Sequence, residues 1–350
     1  MRSLRRRTVL LTLTFVLGAC AVRELDGLSE PVAQATNQTV FFATQRDPTQ
    51  LGTVFGQERR AELRFGKLTI SIPPNHEPGQ IEWTSRRPNA AEEFAITDFS
   101  LSPDIGSFAE LVHERQDDLP GEVLVFVHGF NTTAAEAAFR LAQIQEDLNL
   151  RDPGVLFTWP SAALPTGYVY DRDSVLFARD DLVALLSALT DQDRQVIIAA
   201  HSLGAHLTME ALRQARLTGN DAMLDRINGV MLMSPDIDVD VFLRQADAIG
   251  ELPQPFVVLS ARQDQALGFS SILTGRPRLG ATISETDLAR EDVTIFNFSE
   301  FAEGQLFDHL VPVTSPTALA FLQSLINGRL DRNRSFGDFL TPSSSGRGDT

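Results

Sequence analysis

Residues 195–209 read QVIIAAHSLGAHLTM, and their pattern decides the architecture. Gln195–Ala200 is short, apolar and β-branched at its centre, the pattern of a buried parallel strand. It runs into His201-Ser202-Leu203-Gly204 and then into a helical periodicity that puts Leu203, Leu207, Ala211 and Leu212 on one face. A strand, a serine on a sharp turn and a helix make a nucleophile elbow. The usual frame is G-x-S-x-G; here it is A-H-S-L-G, with Ala200 in the first glycine place. Strand and helix cross closely at such a turn, so the residues two before and two after the serine must be small, and alanine meets that need. Ser202 is expected at the tip with its hydroxyl presented. The helix N-terminus behind it offers free N–H groups and a positive dipole end to an anion.

Other strands flank this unit. Glu122–Val127 (EVLVFV), Gly154–Phe157, Ile227–Met233 (INGVMLM), Phe256–Leu259 and Val293–Phe298 are apolar runs separated by helical patterns or long crossovers. That alternation predicts an α/β fold with a mostly parallel central sheet and helices on both faces. Upstream, Thr39–Thr44, Phe65–Ile72 and Phe94–Leu101 are expected as antiparallel N-terminal strands. Thr132 or Thr133 is placed to cap the helix after EVLVFV, with Glu136 in its first turn, and Asp238 to cap a helix near 239–248. The stretches 75–92 and 265–292 read as insertions near the sheet edge or the site.

A serine hydroxyl is a poor nucleophile without a base in hydrogen-bond reach and a third group to hold that base. Sites in open α/β sheets lie beyond the carboxyl ends of the strands, and an elbow of this kind orders its partners Ser, acid, His. Of six histidines, only His309 follows the last strand, which makes it the candidate base. Two acids qualify: Asp264, after the Phe256–Leu259 strand, and Asp236, one strand earlier. An oxyanion hole needs two donors aimed where charge develops. They are expected to be the backbone N–H groups of Leu203 and of Phe130, the residue after His128-Gly129. Trp159, Tyr170 and Asp236 are candidate pocket residues, and Arg276 or Arg278 a candidate contact for an anionic substrate group. No G-x-G-x-x-G follows a strand, no Walker motif occurs, and no metal-ligand spacing surrounds Ser234-Pro235-Asp236. The expected cofactor and metal sets are therefore empty.

The chain has 350 residues, 43% of them apolar, and a formal charge of −16 that argues against a nucleic-acid partner. Its first residues stand apart. Arg2, Arg5, Arg6 and Arg7 precede the apolar run Val9–Leu17, which is too short for a confident span and ends in Leu17-Gly18-Ala19-Cys20. This is similar to a bacterial lipobox, with residues 1–19 as a signal peptide and Cys20, the single cysteine, as the lipidation site. Removing 1–19 leaves 26 basic against 46 acidic residues, a formal −20. Such a surface is repelled by anionic lipid, so the lipid at Cys20 would hold the chain to the membrane. Ala21 carries no acidic retention signal, which points to the periplasmic side of the outer membrane of a bacterial cell envelope. Residues 20–38 read as a lipidated tether, 39–330 as the domain, and 331–350 as a disordered tail.

The whole pattern resembles a family of uncharacterised bacterial α/β-hydrolases, often lipoproteins, loosely described as esterase- or lipase-like. The resemblance is carried by VFFATQR at 40–46, FVHGFN at 126–131, FTWPS at 157–161, the Tyr170/Asp173/Ser174 helix start, AAHSLGAHL at 199–207, MSPDID at 233–238 and SARQDQAL at 260–267. An arginine–glycine stretch at 276–280 and the late His309 also fit, so it covers about 39–327. It implies an α/β-hydrolase fold with Ser202 as nucleophile, Asp264 as acid and His309 as base, and it implies no particular substrate. The expected function is a carboxylic ester hydrolase working through an acyl-enzyme on a small or lipid-like acyl substrate. An amidase or peptidase using the same triad, and a non-catalytic envelope-binding lipoprotein on the same fold, are the alternatives.

Overall fold

The computed structural model describes residues 23, 25–47, 55–117, 122–261, 264–281, 288, 292–299 and 310–328. The expected signal peptide, the lipidation site Cys20, the base His309 and the tail 331–350 lie outside the described residues.

Nine strands form one sheet: β1 (Thr36–Thr44), β2 (Arg64–Ile72), β3 (Ala95–Ser102), β4 (Val123–Val127), β5 (Gly154–Thr158), β6 (Val196–His201), β7 (Ile227–Met233), β8 (Phe256–Ser260) and β9 (Thr294–Asn297). Their order is β3-β2-β1-β5-β4-β6-β7-β8-β9. β1–β2 and β2–β3 are antiparallel, while every pair from β1–β5 to β8–β9 is parallel. This is the expected α/β-hydrolase architecture, a parallel core with an antiparallel N-terminal edge.

Side chains alternate through the sheet into two cores. Val123, Val125 and Val127 of β4 face one, with helices α1 (Ile105–Asp117), α3 (Tyr168–Leu189), α4 (Leu203–Leu217) and α6 (Val239–Ile249). Phe126, Val40, Phe42 and Leu156 face the other, with α2 (Ala134–Asp147) and the C-terminal α9 (Pro316–Gly328). The short helices α5 (Asp221–Leu224) and α8 (Val311–Thr314), and α7 (Gln265–Thr274), complete the set. The stripe Leu182, Leu185, Leu186 and Leu189 of α3 is wholly buried; each such leucine contributes about 1.5–3 kcal/mol relative to exposure. Thr133 caps α2 in a reciprocal capping box with Glu136, and Asp238 caps α6.

The N-terminal segment departs from the expected free tether. Leu25 is buried in the second core, Ser29 N–H donates to the Ile96 carbonyl at 2.8 Å, and β1 already begins at Thr36. An apolar side chain in an otherwise polar stretch finds a core only in three dimensions, so composition alone reads it as linker.

The insertion at 75–92 is clasped to the sheet's flank. His76 bridges Glu82 at 2.9 Å and Asp147 of α2 at 3.0 Å, and Asp147 also accepts from Gly79 N–H at 2.7 Å. Burial acts to lower the His76 pKa, but the hydrogen bonds to Asp147 and Glu82 outweigh it and raise the value. Burial acts to raise that of Asp147, and the His76 and Gln143 hydrogen bonds outweigh it and lower the value. The His76 contribution is thus complete below its unfolded value of about 6.5 and is lost as pH rises through the raised folded value. The Asp147 contribution is lost at the acid end, as pH falls through its depressed folded value. His76→Gln is expected to lower Tm by a few degrees between about pH 5 and 6.5 and by progressively less towards pH 9. Melting curves across that range check this, and a gap that widens with pH refutes it.

Candidate active site

β6 delivers its chain to Ser202, whose φ of 53° and ψ of −122° are reached by few residues with a side chain. Two backbone hydrogen bonds hold this turn: Ser202 N–H to the Met233 carbonyl at 3.0 Å, and Asp236 N–H to the Ser202 carbonyl at 3.2 Å. The Ser202 side chain makes no capping bond to α4. Gly204 explains the small-residue requirement. A Cβ there would overlap the carbonyl oxygens of Val127 and His128, where α4 passes the end of β4. Gly204→Ala is therefore expected to cost about 3 kcal/mol or more, because backbone rather than a flexible side chain must give way. Denaturant titration reads that loss, and an unchanged midpoint contradicts it.

Beside the serine, β4 ends in His128-Gly129-Phe130-Asn131. A Cβ on Gly129 would lie 2.6 Å from His201 Nδ1 and 2.7 Å from Ser202 Cβ, so only glycine lets this loop lie against the elbow. Phe130, expected as an oxyanion donor, lines the cavity over Ser202, and Leu203 opens α4. His128 is buried, stacked on Trp159 at 4.9 Å between ring centres, with its ring nitrogens 2.9 Å from the Gly129 carbonyl and 3.1 Å from that of Trp159. Burial first, and then the charge of Arg46, push its pKa down to about 3. It is a neutral structural imidazole and no general base.

A buried carboxylate pins this loop. Asp171, in the first turn of α3, accepts from Asn131 N–H at 3.0 Å, Ser161 Oγ at 2.6 Å and Ala162 N–H at 2.6 Å. Burial raises its pKa, opposed by these donors and by the charge of Arg46. Arg46 is itself fully buried and donates to the carbonyls of Trp159, Gly56 and Thr132. On the outer side, Arg23 donates to both carboxylate oxygens of Glu136, to the Asn131 side chain and carbonyl, and to the Ala163 carbonyl. Asn131 and Ala163 both hold positive φ, 54° and 51°, so arginine and aspartate together fasten two strained turns.

A cavity of about 510 Å³ opens over Ser202. Ile81 and Trp83 of the 75–92 insertion form part of its wall, placing that insertion at the site. Asp236 also lines it, but both carboxylate oxygens are engaged: Oδ2 accepts from Tyr168 at 3.0 Å, and Oδ1 from Ser270 at 2.9 Å with Arg278 Nε at 3.1 Å. Arg278 is thus buried in an ion pair, contrary to the substrate contact expected for it. Arg276 is half-exposed and pairs with Asp238 and Asp240.

Two pocket expectations are corrected. Tyr170 points away from the cavity, under the Arg59 guanidinium at 4.1 Å from its ring centre, with its hydroxyl donating to Gln57. Tyr168 lines the cavity instead, edge-on to Phe130 at 5.4 Å. The two tyrosines lie about 200° apart around a helix of 3.6 residues per turn, so only one can face inward. Trp159 is fully buried behind the wall, donating through Nε1 to the His128 carbonyl at 2.8 Å. It supports the wall through His128 and does not itself touch the cavity.

Asp264 lies beyond the carboxyl end of β8, buried at the N-cap of α7, where its Oδ1 accepts from Leu267 N–H at 3.0 Å. Among the described residues no group of three or more His, Cys, Asp or Glu side chains is placed to hold a metal ion. Asp171, Arg46 and Arg23 are the site-building residues that sequence reasoning did not single out as such. The nearest signals were VFFATQR, which contains Arg46, and the helix start around Tyr170, which contains Asp171.

Residues 107–329 match a family model described as an alpha/beta hydrolase of unknown function, DUF900. No curated protein matches this chain. Solved structures similar to it include a fungal esterase from Rhizomucor miehei, at 14% identity over 87% of this chain and 85% of that one, with a TM-score of 0.35. Esterase PE8 is 18% identical over 58% of this chain and 92% of that one, TM-score 0.33. Acylaminoacyl peptidase of Pyrococcus horikoshii is 12% identical over 79% and 50% respectively, TM-score 0.35.

Proposed function

The chain belongs to the α/β-hydrolase family of unknown function DUF900, and from that premise we propose that it is a serine hydrolase acting on carboxylic esters. The observation that carries this is Ser202, held on a strained strand-to-helix turn at the foot of the cavity, with its hydroxyl not spent on capping α4. In this reading Ser202 Oγ attacks the acyl carbonyl and passes its proton to His309. The N–H groups of Leu203 and Phe130 hold the oxyanion, each contributing about 3 kcal/mol. The ester C–O bond breaks, His309 returns the proton to the leaving alcohol, and water then releases the acid from Ser202. Asp264 is assigned as the acid that orients His309, because Asp236 is already committed to Tyr168, Ser270 and Arg278.

The test is hydrolysis of p-nitrophenyl esters from acetyl to palmitoyl, with a fluorophosphonate probe alongside. Turnover with labelling at Ser202 supports the ester reading, and the preferred chain length sizes the cavity. Labelling without turnover moves the reading to amides or peptides. Neither labelling nor turnover leaves a binding protein on an inherited fold.

The lipid anchor at Cys20 belongs to the same reading, and with it a place in the bacterial envelope, on the periplasmic side of the outer membrane. Mass spectrometry of the mature N-terminus is expected to find residue 20 acylated and residues 1–19 removed. An unmodified cysteine or a retained leader contradicts it.

A further inference from the structure

We infer that the rim of the cavity is a membrane-docking face, so that the mouth over Ser202 opens against a phospholipid bilayer. Large apolar side chains stand exposed on the two elements that border the cavity: Phe269, which lines it, with Ile272 and Leu273 on α7, and Leu164 and Val169 where the chain enters α3 beside the lining residue Tyr168. Ile272 is 81% exposed and Val169 73%. Single exposed leucines are ordinary, but a cluster of this kind around one opening is characteristic of an interaction surface.

The two groups flank the same opening. Tyr168 and Ser270 both line the cavity and hydrogen-bond to opposite oxygens of the Asp236 carboxylate, so the start of α3, with Val169, and α7, with Phe269, meet at it. Leu176, also exposed, extends the Val169 stripe two turns along α3. The rim continues to Leu164, next to Ala163, whose carbonyl accepts from Arg23 at 2.9 Å.

That arginine tells what covers the face. Arg23 is fastened to Glu136 and Asn131 at the cavity wall, and Cys20 lies three residues upstream, a reach of about 10 Å at most. The apolar run Val9–Leu17 comes immediately before. A lipid on Cys20 therefore enters a membrane within about 10 Å of Arg23, beside Leu164, and cannot hold the mouth far from the bilayer. The formal charge of −16 offers no general attraction to anionic headgroups, so with the chain held by the lipid on Cys20 it is apolar insertion that seats the rim. An ester carried in the bilayer would then reach Ser202 without crossing water.

The inference rests on the membrane anchoring proposed at Cys20, which the N-terminal mass reads separately. It is tested on the full chain reconstituted into phosphatidylcholine vesicles with brominated acyl chains, which quench tryptophan at membrane depth. Ile272→Trp is compared with the parent and with Leu217→Trp. Leu217 is exposed at the last residue of α4, about 22 Å along that helix from Ser202. The added fluorescence of Ile272→Trp is expected to fall at least twofold on brominated vesicles, and that of Leu217→Trp to stay constant. Equal quenching at both positions, or no association of the full chain with vesicles, overturns the inference. So does a concentration-dependent blue shift of Ile272→Trp without lipid, which would assign the face to a second copy of the chain. This readout needs no catalysis, so it holds or fails apart from the hydrolase reading. Ile272→Asp/Leu273→Asp is expected to slow hydrolysis of a vesicle-borne long-chain ester about tenfold and to leave p-nitrophenyl acetate untouched. Equal losses on both substrates would mean damage to the fold, and the quenching result then decides.

Discussion

Ser202→Ala is expected to reduce ester hydrolysis by about 10⁴- to 10⁶-fold, the loss typical when the nucleophile of an acyl-transfer triad is removed. Neither His128 nor Asp236, both lining the cavity, is fit to take over. His128 is the buried imidazole nearest in the chain to the oxyanion loop, and its pKa of about 3 leaves it neutral, with both ring nitrogens against carbonyls. The Asp236 carboxylate beside the serine is neutralised by Arg278. The fold should survive the change, because alanine keeps the Cβ and the backbone bonds to Met233 and Asp236 need no hydroxyl. Ser202→Gly separates the two roles of this position. Glycine reaches φ of 53° without strain, so this variant should be as inactive as the alanine one yet more stable by about 1 kcal/mol. Initial rates and fluorophosphonate labelling, paired with denaturant titration, read both. Activity retained in either variant would remove Ser202 from the mechanism.

Asp171→Ala should be the most damaging change outside the elbow. It removes the acceptor shared by Asn131, Ser161 and Ala162, and with it the carboxylate that most strongly offsets the buried charge of Arg46. Even with that offset, burial holds the Arg46 pKa down to about 10. Breaking a buried ionic arrangement by deleting one partner costs about 3–5 kcal/mol, because the other charge is left uncompensated. For a domain of this size that corresponds to a Tm lower by roughly 10 °C. Activity should fall beyond what unfolding explains, since Asn131 N–H is the anchor next to Phe130. Asp171→Asn keeps the shape and loses the charge, so it should recover part of the stability. Double replacement of Asp171 and Arg46 should cost less than the sum of the two single changes. Additive losses would show that Arg46 and Asp171 act independently.

Much of the site was legible along the chain because its signals are local. The elbow needs a strand period, two small residues and a helix period within fifteen residues, all contiguous in QVIIAAHSLGAHLTM. The Thr133 and Asp238 caps follow from one polar residue before a helical run. The parallel sheet follows from strands that alternate with helices. What was misread required geometry that sequence spacing does not carry. Tyr168 and Tyr170 are near-equivalent until the phase of α3 against the sheet is known. Trp159 ends a strand whether it faces the cavity or backs it. Arg278 reads as a loop cation until the chain folds it onto Asp236, forty-two positions earlier.

The sequence by itself determined the class of fold, the place of the serine and the strand ends that surround it, because period, turn chemistry and capping act over a few residues. The tertiary structure decided which side chains meet there. Arg23 reaches Glu136 across 113 positions, and Gln45 and Arg59 reach α3 across comparable gaps. Contacts of that kind form only after the sheet has brought distant segments together, where burial strengthens each charge and makes its partner obligatory.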